Sequence, residues 1–354
     1  MTNSSAPARS ASAPRDAWLD NIRLVAIILV VVGHAVGSSR NSSGAALALS
    51  NFLYAFHIPL FAITAGWTAQ RLQASPAGLS KMTWQLLVPY AIFQVIALAN
   101  GHADGLDLEW QFAVATFALW FLMSLFLWRL LAPWFRGGAG GLVAALAIAL
   151  AIGFVPEIND TLSLSRTLFF FPAFLVGATY GDRLAGWLRP VAVRGVGAAT
   201  LLAAMAYCAV NAETMNRLLQ LGRDPYEVVG IPGTEGVLAR LLTILAGIGL
   251  ALACAALTPR GRIPFLTGLG AYTMYAYLLH VVIRRLLISW DLLPVAHDTT
   301  GALMIVAGAT VLTIVLMTPP VRLLVRPLVE PAWVRDLALA PFRHRAGGRR
   351  ASAA

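Results

Sequence analysis

Apolar residues in this chain come in long uninterrupted blocks separated by short polar connections. Ten such blocks lie near residues 22–38, 47–67, 83–99, 111–131, 139–155, 165–181, 191–210, 236–257, 265–289 and 302–325. Each has about the length, roughly 17 to 25 residues, that a helix needs to span hydrocarbon. The pattern therefore predicts an all-α polytopic integral membrane bundle of about ten transmembrane helices. The fourth and tenth blocks carry more polar or Pro residues, notably Pro319 and Pro320, and are expected to be bent or partly interfacial. Residues 1–17, rich in Ser, Ala, Pro and Arg, have too little apolar surface to offset the entropy of ordering and read as a disordered cytoplasmic tail. A membrane domain over 18–326 and a basic cytoplasmic tail over 327–354 complete the division.

Composition excludes a soluble protein: of 354 residues, 58% are hydrophobic and 12% charged, and the mean hydropathy is +0.73. The net charge of +10 would suit nucleic acid, but its distribution points elsewhere. With the N-terminus inside and sides alternating, the inner segments hold eighteen basic residues and the outer segments four. Eleven of the sixteen acids fall outside. That segregation is the positive-inside pattern; it places both termini in the cytoplasm of a multi-pass protein of the cell inner (plasma) membrane, with membrane lipid and no nucleic acid as partners. Cys208 and Cys254 both lie inside apolar blocks, so no disulfide or metal framework is implied. The first block could instead be a secretory signal ending at Ala35-Val36-Gly37, but nine further spans make a leader unnecessary, and His34 interrupts its apolar core.

Ionisable residues within hydrocarbon are costly and usually face a cavity, so they mark candidate chemistry. Arg23 and His34 lie eleven residues apart on the first span. Eleven steps of about 100° bring them to one helix face, separated by a rise of about 16 Å. A cation at the cytoplasmic edge with a titratable ring past the midplane would suit a molecule entering from the cytosol. Alternatively, Arg23 is a boundary residue paired with Asp20 one turn earlier, and His34 bonds a neighbouring helix. On the second span, Pro59 bends the helix beside His57, which is either catalytic or structural. Arg166, Arg240, His280, Arg284 and Arg285 lie toward outer helix ends; they either snorkel to headgroups or form an acceptor site, with His280 and Arg284 on one face at i,i+4. No nucleotide-binding loop, dinucleotide fingerprint, zinc-ligand cluster or nucleophile elbow is present.

Asp20-Asn21-Ile22-Arg23, followed by His34, resembles the Arg-x10-His signature of the membrane acyltransferase-3 family, especially its fucose 4-O-acetylase-like branch. Further similar strings follow in family order: Phe56-His57-Ile58-Pro59-Leu60-Phe61, Leu86-Leu87-Val88-Pro89-Tyr90, Leu119-Trp120-Phe121-Leu122, Ser165-Arg166-Thr167 and Tyr272 through His280. The resemblance runs from about residue 18 to 325. It implies ten or so helices around a cavity and transfer of an acyl group, expected to be acetyl, from cytoplasmic acyl-CoA to a hydroxyl, commonly of a sugar. It gives greatest weight to Arg23 and His34. Relatives that modify surface polysaccharides often carry an additional soluble domain; none is read here, which leaves the acceptor open to lipid-linked sugars and glycosylated small molecules.

The expected activity is thus that of an integral membrane O-acyltransferase needing no metal. A hydroxyl is a weak nucleophile at neutral pH, and a histidine of ordinary pKa about 6.5 can take its proton. His34 is the expected base, with His57 a further catalytic candidate. Arg23 and Asp20 are expected at the donor, and Arg166, His280 and Arg284 at the acceptor. A transporter or flippase of a sugar-containing substrate is the competing class, and a structural or sensory membrane protein a third. A transporter would be favoured by an inverted repeat with matching broken spans, which is not visible.

Overall fold

The computed structural model describes residues 15–70, 75–106, 109–135, 137–158 and 161–334. Most of the N-terminal tail, most of the basic C-terminal tail, and the topology markers Arg71, Asp107, Arg136 and Asp160 lie outside these described residues. The fold is all-α. In chain order the helices are α1 (Ala17–Val36), α2 (Gly44–Ala69), α3 (Pro76–Met82), α4 (Val88–Ala103), α5 (Trp120–Leu131), α6 (Ala139–Ala151), α7 (Leu164–Trp187) and α8 (Val191–Val210). They continue with α9 (Arg217–Leu221), α10 (Tyr226–Val229), α11 (Gly233–Leu257), α12 (Leu266–Leu269), α13 (Thr273–Ser289), α14 (Thr299–Leu316) and α15 (Pro319–Val329).

Among the described residues, seven helical stretches are long and apolar enough to cross a membrane: Ala17–Ser39, Gly44–Ala69, Gly78–Ala103, Phe117–Phe135, Val191–Val210, Gly233–Leu257 and Thr299–Leu316. The three remaining apolar blocks of the sequence coincide with the shorter helix α6 and with α7 and α13, whose polar and charged residues dilute their hydropathy. Helices α8, α11 and α14 turn Leu202, Leu242, Leu303 and Met304 outward, an apolar exterior suited to lipid.

Tertiary partners move several helix boundaries. The first helix begins at Ala17, five residues before its apolar block, because the Asp16 carboxylate caps the Trp18 amide at 2.9 Å. Asn21 then donates to the carbonyls of Pro259 (2.8 Å) and Gly261 (2.9 Å) and accepts from the Thr267 hydroxyl (2.7 Å). These bonds fix the polar first turns of α1 against the connection that follows α11. The fourth block begins as irregular chain. Buried Gln94 on α4 donates to the carbonyls of Gln111 (3.0 Å) and Val114 (2.8 Å) and accepts from the Thr116 amide (2.9 Å), giving that backbone partners outside a helix. A turn of π-helix over Thr83–Leu87 precedes Pro89, widening the helix where a proline ring would meet the preceding turn. The tenth block breaks at Pro319 into α14 and the amphipathic α15, as expected for a partly interfacial segment.

Helices α2 and α7 form the tightest seam. A Cβ on Gly66 would strike the Phe174 carbonyl, and one on Gly177 would strike the Ile63 carbonyl, so each glycine admits the partner's backbone. Helix α1 packs across α2, α13 and α14. The connection from α8 to α11 folds back over the far end of the bundle: Gln220 donates to the Asn51 carbonyl (3.1 Å), and Ser165 donates to the Gly222 carbonyl (3.1 Å).

Candidate active site

Two polar cavities lie along α1, one at each end. The first, about 540 Å³, is lined by Arg23, the C-terminal part of α2, the π turn with Trp84 and Gln85, Arg129 on α5, and the start of α13. Pro331 and Ala332 complete its wall, so the chain after residue 326 still packs against the bundle. Arg23 sits 3.5 Å from the Asp20 carboxylate, which also holds Arg15 at 3.0 Å. Asp20 is buried and is not among the cavity-lining residues; it acts on the site through Arg23. Arg129 joins Arg23 in this wall, and its buried Nε has no hydrogen-bond partner.

The second cavity, about 470 Å³, collects His34 and Ser38 from α1 and its end, Tyr54 and His57 from α2, Trp120 from α5, Arg166 from α7, Arg217 and Gln220 from α9, and His280 and Arg284 from α13. His34, His57, Arg166, His280 and Arg284 thus meet in one place, although eleven helices, α2 to α12, separate the last two from the first along the chain. Arg240 does not join them. It is buried between Phe169 and Tyr226, with its guanidinium carbon 5.0 and 5.5 Å from their ring centres. Arg285 lines the cavity but forms an ion pair with Asp104.

The histidines are held in defined ways. His57 Nδ1 lies 2.6 Å from the Leu53 carbonyl and His280 Nδ1 lies 3.1 Å from the Ala276 carbonyl. A carbonyl oxygen only accepts, so both neutral rings carry their proton on Nδ1 and keep a lone pair on Nε2. The Nε2 of His280 is buried without a hydrogen-bond partner among the described residues. The rings of His34 and His280 are 5.3 Å apart, and His34 Nδ1 is 3.3 Å from the Tyr54 hydroxyl. Tyr54 in turn packs edge-on against His57 at 4.9 Å, with Arg217 over its ring at 4.3 Å. Arg284 donates to the Ser38 hydroxyl at 3.1 Å, and Arg166 lies over Trp120 at 5.1 Å. Phe61, Phe121 and Tyr277 line the first cavity; Phe121 is 5.3 Å from Phe61 and 5.9 Å from Tyr277, whose ring is 5.9 Å from that of His280 in the second cavity and whose hydroxyl donates to the Ala118 carbonyl.

An arginine-lined chamber at one end of a helix and an imidazole cluster at its other end are the parts of a group-transfer site. A family model described as an acyltransferase domain matches residues 16–320. The chain belongs to the acyltransferase-3 family. No curated protein and no solved structure matches it. As a membrane acyltransferase it needs an acyl donor and an acceptor. The family match takes in every lining residue of the second cavity and all those of the first except Val329, Glu330, Pro331 and Ala332. Among the described residues no group of three His, Cys, Asp or Glu side chains converges as a metal site.

Three contributors escaped the sequence reading. Tyr54 looked like one more aromatic of an apolar block, although it precedes His57 by three residues and so shares its helix face. Arg129 counts among the eighteen inner basic residues of the positive-inside pattern and Arg217 among the four outer ones. For Arg129 a signal existed, since it lies within the fourth apolar block.

Proposed function

We propose that this membrane acyltransferase moves an acyl group from cytoplasmic acyl-CoA to a hydroxyl of a carbohydrate, glycosylated or lipid-linked acceptor at the cell inner membrane. The observation that carries the reading is the His34–His280 pair, 5.3 Å apart, in a polar cavity at the opposite end of α1 from the paired guanidiniums of Arg23 and Arg129. Guanidinium forks suit the phosphates of coenzyme A. An imidazole with a free lone pair suits the proton of an attacking hydroxyl.

In this reading the acceptor oxygen attacks the thioester carbonyl carbon as its proton passes to His34 Nε2, with Nδ1–H directed at the Tyr54 oxygen. The carbonyl electron pair moves onto oxygen, where Arg284 offers donors. Collapse restores the carbonyl, breaks the carbon–sulfur bond and returns the proton from His34 to the departing sulfur. An ester and the free coenzyme A thiol result. His280, His57 and Arg166 bind and orient the acceptor; Arg23, steadied by Asp20, binds the donor.

Purified protein incubated with radiolabelled acetyl-CoA and a panel of carbohydrates should transfer label to a sugar hydroxyl. Label that never leaves the donor, across the panel and with longer acyl-CoAs, would overturn the reading. The cytoplasmic placement of both termini is tested separately. Cysteines introduced at Ser4 and Ser352 should react with an impermeant thiol reagent only in opened cells, and labelling of either in intact cells would refute it.

A further inference from the structure

A third cavity, about 310 Å³, opens between α13 and α14 against α1. Val31, Ile283, Leu287, Ile305 and Leu312 make its walls, and its inner end is formed by His34, His280 and Arg284, which it shares with the polar cavity. Met304, at its rim, is 68% exposed on the outward apolar face of α14, so the mouth opens toward hydrocarbon.

An acyl transfer intermediate has three substituents besides its oxyanion: the leaving sulfur, the entering oxygen and the acyl chain. The arginine chamber accounts for the donor's coenzyme A portion and the polar cavity for the acceptor. At the histidine pair, the apolar groove is the outlet left for the third. We propose that this groove binds the acyl chain of the donor, and that the enzyme transfers acyl groups of several carbons in preference to acetyl. The inference rests on the acyl-transfer reading and names its donor class. The volume supports it, since an apolar cavity of about 150 Å³ already holds a benzene ring. The position of the junction selects the occupant. The carbon next to the reacting carbonyl enters the groove directly at His34 and His280, whereas the tail of an amphiphilic acceptor would be held away from the reacting hydroxyl by its own head group.

Gly308 lines the groove, and a Cβ added there meets nothing within 4 Å, so a larger residue fills the groove without moving backbone. The full-length protein in nanodiscs is assayed with acetyl-, butyryl-, hexanoyl- and octanoyl-CoA. In the wild type KM should fall by up to about fourfold per methylene until the groove is full. In Gly308→Leu, the ratio of kcat/KM for octanoyl-CoA to that for acetyl-CoA should drop at least tenfold. Equal use of all chain lengths, or an unchanged ratio in Gly308→Leu, would overturn the proposal. So would a Gly308→Leu defect that follows the tail length of an amphiphilic acceptor. Octanoyl-CoA carrying a terminal diazirine gives a readout independent of turnover: photolabelling should fall on α13 and α14, be competed by plain octanoyl-CoA and vanish in Gly308→Leu. Competed labelling without transfer from any donor would keep the groove and sink the acyl-transfer reading; transfer without that labelling would do the reverse.

Discussion

The two polar cavities share α1 yet keep their charges differently. At the end where α1 begins, Arg23 has Asp20 on its own helix at 3.5 Å, and Glu330 is matched by the Tyr275 hydroxyl at 2.9 Å and Arg326 at 3.2 Å. Those pairs hold a fixed electrostatic pattern. At the far end no carboxylate is among the described lining residues, and His57 and His280 have one nitrogen committed to a backbone carbonyl and the other left for the cavity. A fixed charge suits binding of an anion; a pinned imidazole with a free lone pair suits moving a proton. In the proposed mechanism ground-state binding and chemistry fall at different ends of one helix, and substitutions at the two ends should separate in kinetics.

The largest effect is expected at His34. His34→Ala should lower kcat by about 10² to 10⁴, the usual contribution of a positioned base, with the donor KM near wild type. His34→Gln should not restore it, because an amide can hydrogen-bond but cannot accept the proton at neutral pH. If His34 only ties α1 to Tyr54, Gln should recover most activity, while Ala should cost about 1 to 3 kcal/mol of stability. Rates and thermal melting of the two variants measured together decide between these outcomes.

A smaller and more selective effect is expected at the other end of α1. Arg23→Lys should raise the KM for acyl-CoA by roughly 10-fold, since a point charge cannot reproduce the guanidinium's forked contacts, and leave the acceptor KM within about twofold. Arg166→Lys should show the opposite selectivity. A common shift of both constants in either variant would mean that the two cavities act as one.

How much of this was legible in the sequence depends on the range of the interactions involved. The apolar blocks and the Arg23–His34 register follow from local periodicity, and each block overlaps at least one helix. The start of α1 was read late because Asp20 and Asn21 look like loop residues until Pro259, Gly261 and Thr267 supply partners from the far side of the chain. The irregular stretch after Gln111 was read as part of a span because nothing local reveals that Gln94 satisfies its backbone. The meeting of His34 with His280 is likewise a product of α1 packing on α13. Periodicity could put each on a polar face, while only the packing brings them within 5.3 Å.

The smallest effect expected is at Tyr54, and whether it appears is informative. The Tyr54 oxygen is 3.3 Å from His34 Nδ1, a contact that two proton arrangements satisfy. If His34 donates from Nδ1, the free lone pair is on Nε2, the ring is aimed, and the tyrosine orients the base. Tyr54→Phe should then lower kcat by roughly 2- to 12-fold, the worth of one neutral hydrogen bond at about 0.5 to 1.5 kcal/mol. If the hydroxyl donates to Nδ1, His34 is held with its proton on Nε2, the wrong tautomer for taking a proton there. His280, whose Nε2 already carries a free lone pair, would then be the better base, and removing the Tyr54 hydroxyl should leave kcat near wild type. The donor KM should not move in either case, because Arg23 and Arg129 lie at the other end of the bundle. A fall in kcat for Tyr54→Phe thus keeps the base at His34, and an unchanged kcat transfers the role to His280.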